Sequence, residues 1–136
     1  MKPPIVCIID DDEIYQFTAK RTLAMTDMAS KILMFNDGEE AIDFLTENMH
    51  NLEELPDIIF LDLNMPVMDG WDFIEEYTTL KPKLNKNIIL YVVSSSVYDE
   101  DIRRAKSISE VNDYIVKPIS IDQYKVILTE LSGKDN

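Results

Sequence analysis

The sequence predicts an α/β fold in which a doubly wound parallel sheet is covered by helices on both faces. Three observations carry that prediction. Short apolar runs rich in β-branched residues recur along the chain, as buried parallel strands require. Amphipathic segments of helical period separate them. Four of the runs end abruptly in polar groups: Ile5–Ile9 in Asp10, Asp11, Asp12 and Glu13; Ile58–Leu61 in Asp62; 88–93 in Ser94, Ser95 and Ser96; 114–116 in Lys117 and Pro118. Strands alternating with helices specify a parallel sheet.

The elements follow in order. Residues 5–9 form the first strand, and 13–25 read as its helix. A short strand candidate spans 31–35. Residues 37 to about 49 are helical, with Asp37 and Glu40 spaced as a capping box and Ala41, Ile42 and Leu45 on one face. A polar loop runs from His50 to Pro56, and 57–63 form the third strand. Residues 70–80 are helical, with Phe73, Tyr77 and Leu80 on one stripe. The stretch 81–87, containing Pro82, reads as loop. The fourth strand spans 88–93. Residues 99–108 are helical, acidic first and basic later, as the helix dipole favours. The fifth strand spans 113–116. The last helix spans 121–131, opened by a second capping box, Ser120 with Gln123. Residues 132–136 read as a frayed end. Right-handed crossovers leave few arrangements of five such units. The flavodoxin-like (βα)5 order, 2-1-3-4-5, is the predicted one. It makes strands 1, 3, 4 and 5 neighbours, and their carboxyl ends share one crevice.

The chain of 136 residues is expected to form one domain, 1–136, with a core of about 4–131. An apolar content of 46% argues for a folded globule and against disorder. No apolar stretch approaches the roughly 18–20 residues of a membrane span, and the start lacks a signal-peptide pattern. Cys7 is the single cysteine and sits in an apolar run, so it reads as a small buried hydrophobe. A cytoplasmic location is expected. The net charge of −13 argues against nucleic acid, a polyanion that needs clustered Lys and Arg. Residues 37–57 alone hold eight acidic side chains and no Lys or Arg.

The strand ends define the chemistry. Carboxylates from Asp10, Asp11 and Asp62 repel one another at close range, so a proton or a cation must offset them. Their hard oxygen donors suit Mg²⁺, with Mn²⁺ also possible. The backbone carbonyl of Asn64 can complete the ligand set. A carboxylate beside such a cation can attack phosphorus and form an acyl phosphate. Lys117 can hold one phosphoryl oxygen and Ser94 another, which is how phosphoryl transfer is catalysed by positioning and charge. The bland alternative is a set of solvated strand-end carboxylates. Tyr114 has a serious structural rival role, since tyrosine favours strands anyway.

The segment Phe60-Leu61-Asp62-Leu63-Asn64-Met65-Pro66-Val67-Met68-Asp69-Gly70 resembles the phospho-acceptor loop of the receiver domains of two-component signalling. The acidic run after the first strand, the hydroxyl after the fourth and Lys117-Pro118 after the fifth match in order. The resemblance covers nearly the whole chain and is greatest to single-domain, chemotaxis-type receivers. It implies that Asp62 accepts a phosphoryl group from a sensor histidine kinase or phosphotransfer protein. Asp11 would be the main side-chain metal ligand, Asp10 would act through water, and Asn64 would supply a carbonyl. Ser94 would swing toward the phosphoryl group and Tyr114 would turn inward with it. Lys117 would contact the phosphoryl group, and Pro118 would follow a cis bond. The output would be a protein partner at the face of the fourth helix, fifth strand and fifth helix, 98–106 with Tyr114 among it. Such a domain is not an enzyme beyond its own phosphorylation and dephosphorylation. The acidic run is four residues long, and the metal pair is placed at Asp10 and Asp11 by the end of the apolar run.

Two other functions use similar parts. A haloacid-dehalogenase-type phosphatase also has a strand-end Asp nucleophile and Mg²⁺, but needs a second acid where this chain has Asn64. A flavodoxin relative needs a first loop that cradles phosphate, whereas Asp-Asp-Asp-Glu repels it.

Overall fold

The computed structural model describes residues 2–134, and these contain five strand–helix units. The elements are β1 (Ile5–Ile9), α1 (Glu13–Thr26), β2 (Lys31–Phe35), α2 (Gly38–Glu47), β3 (Ile58–Leu61), α3 (Gly70–Leu80), β4 (Ile89–Ser94), α4 (Asp99–Lys106), β5 (Val111–Val116) and α5 (Ile121–Lys134). All strand pairs are parallel, in the order β2-β1-β3-β4-β5. This is the flavodoxin-like topology the alternation predicts.

Every residue of β1 and β3 is buried, which is why both read as unbroken apolar runs rather than alternating ones. One face of the sheet packs Cys7, Ile9, Ile59 and Leu61 against Leu45 of α2, Phe73 and Tyr77 of α3 and Ala105 of α4. The other packs Ile8, Phe60 and Val93 against Leu23 of α1 and Tyr124 and Leu128 of α5. Register places the chemistry. Ile9 pairs with Leu61, so Asp10 and Asp62 leave the sheet side by side. Leu61 pairs with Val92, and Ser94 pairs with Val116. Lys117 therefore follows directly beside the end of β4.

Several boundaries differ from the sequence reading. β3 is four residues rather than seven; just before it, the Asp57 side chain accepts the Ile5 amide at 2.7 Å. At its other end, Leu63 turns away to accept the Gly70 amide at 2.9 Å. β4 starts at Ile89, not Ile88. β5 starts at Val111, two residues early, where an irregularity opposite Leu90 and Tyr91 accommodates exposed Asn112 and Asp113. α2 stops at Glu47 and α4 at Lys106, each shorter than predicted. The stretch expected as loop begins with a 3-10 turn, Lys81–Lys83, with Pro82 in its first turn. Helix α5 continues through Lys134, so residues 132–134 are helical rather than frayed; the end of that expected tail, 135–136, lies outside the described residues.

The two capping boxes form differently. At Ser120 the exchange is reciprocal: its Oγ accepts the Gln123 amide and its own amide donates to Gln123 Oε1. At Asp37 the carboxylate accepts the Glu40 amide, but Glu40 reaches one residue further back, to the Asn36 amide at 2.8 Å.

Candidate functional site

β1 and β3 deliver Asp10 and Asp62 as neighbours, and backbone pairing continues one residue past each strand. The Asp62 amide donates to the Ile9 carbonyl at 2.9 Å and the Asp10 amide to the Phe35 carbonyl at 3.0 Å. Asp10 is 1% exposed and Asp62 6%, while Asp11 faces solvent. One carboxylate oxygen from each of the three lies within 4.8 Å of the others. Asp12 goes elsewhere: its Oδ1 accepts the Ile14 and Tyr15 amides and caps α1. The acidic run therefore divides into site residues, Asp10 and Asp11, and a helix cap.

The loop after Asp62 is tightly drawn in. A Cβ on Gly70 would lie 2.5 Å from the Asp62 carbonyl oxygen and 2.7 Å from Leu63 Cα, so only glycine fits. Between them, Met68 donates its amide to the Pro66 carbonyl at 2.7 Å, closing a three-residue turn around Val67. Val67 has φ 66°, a left-handed backbone that a β-branched residue adopts only under strain.

Lys117 spans the two buried carboxylates. Its Nζ is 2.6 Å from Asp10 Oδ2 and 3.4 Å from Asp62 Oδ1. Burial pushes the Asp62 carboxyl up to about 6, and the Asp10 charge adds to the rise. The Lys117 ammonium and the Asn64 amide, which hydrogen-bonds the carboxylate, pull the other way and do not overcome it. For Lys117 itself, burial opposes the charge, but the bonds and charges of Asp10 and Asp62 hold the ammonium above its ordinary value.

Of the predicted site residues, the fold brings Asp10, Asp11, Asp62 and Lys117 together. Asn64 meets the cluster through its backbone amide while facing solvent. Ser94 is fully buried at the end of β4, with its Oγ accepting the Ser96 amide at 3.1 Å rather than any bond from the cluster. Tyr114 already lies inward, 9% exposed, and its hydroxyl donates to the Ser96 carbonyl at 2.8 Å. It therefore contributes little to the exposed face on which the sequence reading placed it. The Lys117–Pro118 bond is cis.

Sequence reasoning missed two residues. Gln16, on α1, donates its side-chain amide to the Asp10 carbonyl and to Asn36 Oδ1, tying the ends of β1 and β2 together. Tyr15 lays its ring 4.3 Å from Lys117 Nζ. Neither has a local motif; only the placement of α1 over the strand ends reveals them.

The donor set suits a hard divalent cation. Three carboxylates face one ammonium, and a pair of like charges about 4 Å apart costs about 4 kcal/mol at an effective dielectric near 20. Asp10 Oδ1 accepts the Asp12 amide at 2.9 Å, while its buried Oδ2 meets the Lys117 ammonium and no other partner among the described residues. No imidazole or thiolate joins the cluster, so the chemistry is that of oxygen ligands. The cluster can thus hold a cation beside a strand-end carboxylate, with an ammonium within reach of the same carboxylate.

Comparison with known proteins agrees with this chemistry. The family profile described as response regulator receiver domain matches residues 6–129. The probable methanogenesis regulatory protein FilR2 of Methanothrix harundinacea is 27% identical over 129 residues, covering 95% of this chain and 81% of that protein. The probable chemotaxis protein CheY of Rhizobium etli is 28% identical over 131 residues, covering 94% of this chain and 92% of that one. Several other curated relatives are much longer, and the chain spans 44% or less of their length. A solved two-component response regulator from Cytophaga hutchinsonii superposes with a TM-score of 0.87 at 27% identity, covering 98% of this chain and 99% of that one.

Proposed function

The chain belongs to the response regulator receiver domain family, and from that premise we propose that Asp62 is its phosphoryl acceptor. Receiver domains are the phospho-accepting signalling modules of two-component systems, and their donors are histidine kinases or phosphotransfer proteins. The observation that carries the assignment is the convergence of the Asp62, Asp10 and Asp11 carboxylates with the Lys117 ammonium at one end of the sheet. Nothing favours a haloacid-dehalogenase-type phosphatase: the position two residues beyond Asp62 is Asn64, not an acid.

In the proposed reaction an Asp62 oxygen attacks the phosphorus of a phosphohistidine. The new P–O bond forms as the P–N bond breaks, and the imidazole nitrogen takes up a proton. Asp10, Asp11, Asp62 and the Asn64 carbonyl would hold Mg²⁺, or Mn²⁺ in its place. When bound, the cation offsets the carboxylate charge and lets an anionic phosphoryl group approach. Lys117 stands against Asp62 and meets a phosphoryl oxygen.

Signalling follows from Ser94. Its hydroxyl now accepts the Ser96 amide, and engaging a phosphoryl oxygen means giving that bond up. Ser96 also receives the Tyr114 hydroxyl on its carbonyl and donates its own hydroxyl to Asp101 of α4 at 2.7 Å. A phosphoryl group that draws Ser94 away therefore biases the β4–α4 loop, α4 and β5 together. A shift on the order of 1–3 kcal/mol is typical of such coupling. The partner is a protein docking at the α4, β5 and α5 face rather than nucleic acid. Among the described residues no helix is long and apolar enough to cross a membrane, and a cytoplasmic location is proposed.

Incubation with acetyl phosphate and Mg²⁺, followed by intact mass measurement, tests the assignment. A labile phosphoryl adduct is expected on the wild type and none on Asp62→Ala. An adduct of equal yield on both proteins would overturn it.

A further inference from the structure

We infer that Tyr15 is a positioning residue for Lys117, holding the ammonium in the acceptor site through its ring face. The inference rests on the reading of Asp62 as acceptor and assigns a part of the site that the strand-end motifs do not contain.

Among the described residues Lys117 has two anionic partners, and they are unequal: Asp10 at 2.6 Å and Asp62 at 3.4 Å. Both carboxylates are shared with the candidate cation site, so neither fixes the ammonium once a cation draws on their oxygens. The ring of Tyr15, 4.3 Å from Nζ, is a third contact that the cation does not compete for. A ring face attracts an ammonium through its quadrupole, most strongly where water is partly excluded. Lys117 is such a case, with 16% of its side chain exposed.

The ring is itself held. Tyr15 sits in the first turn of α1, where the Asp12 cap bonds its backbone amide at 3.2 Å. Its side chain packs against the core cluster that holds Tyr124 of α5 and Phe60 of β3, whose rings meet edge-on with centroids 5.4 Å apart. The aromatic face is thus braced from the helix cap on one side and from the sheet core on the other. A flexible lysine pressed on a braced ring keeps its head near Asp62 at low entropic cost.

Three variants test this by the rate of Asp62 phosphorylation from acetyl phosphate with Mg²⁺. Tyr15→Leu removes the face and the hydroxyl; a rate about tenfold below wild type is expected, the upper range of a cation–π contact. Tyr15→Phe removes only the hydroxyl and is expected to recover most of that loss. In a Lys117→Met background, adding Tyr15→Leu is expected to cost less than about twofold more. A second readout needs no turnover: in the proton NMR spectrum the Lys117 ε-methylene signals are shifted upfield by the ring, a shift kept in Tyr15→Phe and lost in Tyr15→Leu.

Wild-type rates in Tyr15→Leu, a Phe variant as slow as the Leu variant, or a full tenfold loss persisting without Lys117 would each overturn the inference. Should Tyr15→Leu fail to fold, the wild-type spectrum decides, because unshifted ε-methylene signals exclude the contact. Failure of the acceptor assignment looks different: the wild type then carries no Asp62-dependent adduct, whatever stands at position 15.

Discussion

The two ends of the sheet each hold an Asp–Lys pair, and only one of them is finished. At the amino end, Asp57 accepts the Ile5 amide at 2.7 Å and pairs with Lys86 at 3.2 Å. Lys86 also donates to the carbonyls of Leu52 and Leu55. Charges balance one to one, and the pair ties β1, β3 and the preceding loop together. At the carboxyl end, Lys117 faces Asp10 and Asp62 with Asp11 beside them, and negative charge is left over. The same two residue types make a staple where they are satisfied and a candidate site where they are not. An Asp–Lys pair at a sheet end does not mark function by itself; an imbalance that a ligand can correct does.

Substitutions sharpen that contrast, beginning with the largest effect. Lys117→Met is expected to slow phosphorylation of Asp62 by about a hundredfold or more, the scale of losing a donor aimed at developing charge. Lys86→Met should leave the rate within about twofold, and parallel acetyl phosphate assays check both. If the two lysines prove equally important for the rate, the contrast fails.

Asp62→Asn comes next and acts on stability. A carboxyl raised to about 6 in the folded protein, from 3.8, binds its proton more tightly folded than unfolded. Below pH 3.8 the group is protonated in both states and costs nothing. As pH rises through the window from 3.8 to 6 the wild type loses stability, and the full loss of about 3 kcal/mol is present above it. In the presence of a chelator Asp62→Asn should therefore raise Tm at pH 7.5 and bring no gain near pH 3.5. Adding Mg²⁺ should narrow the gap at pH 7.5 by stabilising the wild type more than the variant.

Lys86→Met should lower stability by about 1–2 kcal/mol, since it takes the ammonium from a partly exposed Asp57 and from two carbonyls. Urea titration measures this, and the loss should not depend on Mg²⁺. The smallest effect belongs to Asp12→Ala, about 1 kcal/mol from a lost helix cap. Its Mg²⁺ affinity should match wild type by calorimetric titration, because Asp12 spends its carboxylate on the Ile14 and Tyr15 amides. Weakened Mg²⁺ binding in that variant would move the metal pair one residue along the chain.

Much of the fold was legible because its signals are local. Strands that are buried on both faces show as apolar runs, and capping residues lie within three positions of the helices they start. β5 was read short for the same reason, since exposed Asn112 separates Val111 from the rest of the strand and breaks the apolar signal. Ser94 was correctly placed at a strand end, but its bond to the Ser96 amide was not predictable from three consecutive serines. The strain at Val67 was also hidden, because nothing in a β-branched residue announces a left-handed backbone.

What the sequence determined by itself is the order of the polar strand ends: a carboxylate pair, a third carboxylate, a hydroxyl and an ammonium, each following an apolar run. What only the tertiary structure decided is how these groups are shared out. It sent Asp12 to a helix and Asp10 to Lys117, gave Lys86 to the far end of the sheet, and set Tyr15 beside the site. The reason is physical: chain direction and periodicity are fixed by neighbours a few residues apart, whereas the partner of a charge depends on which crossovers bring distant segments within a few ångströms.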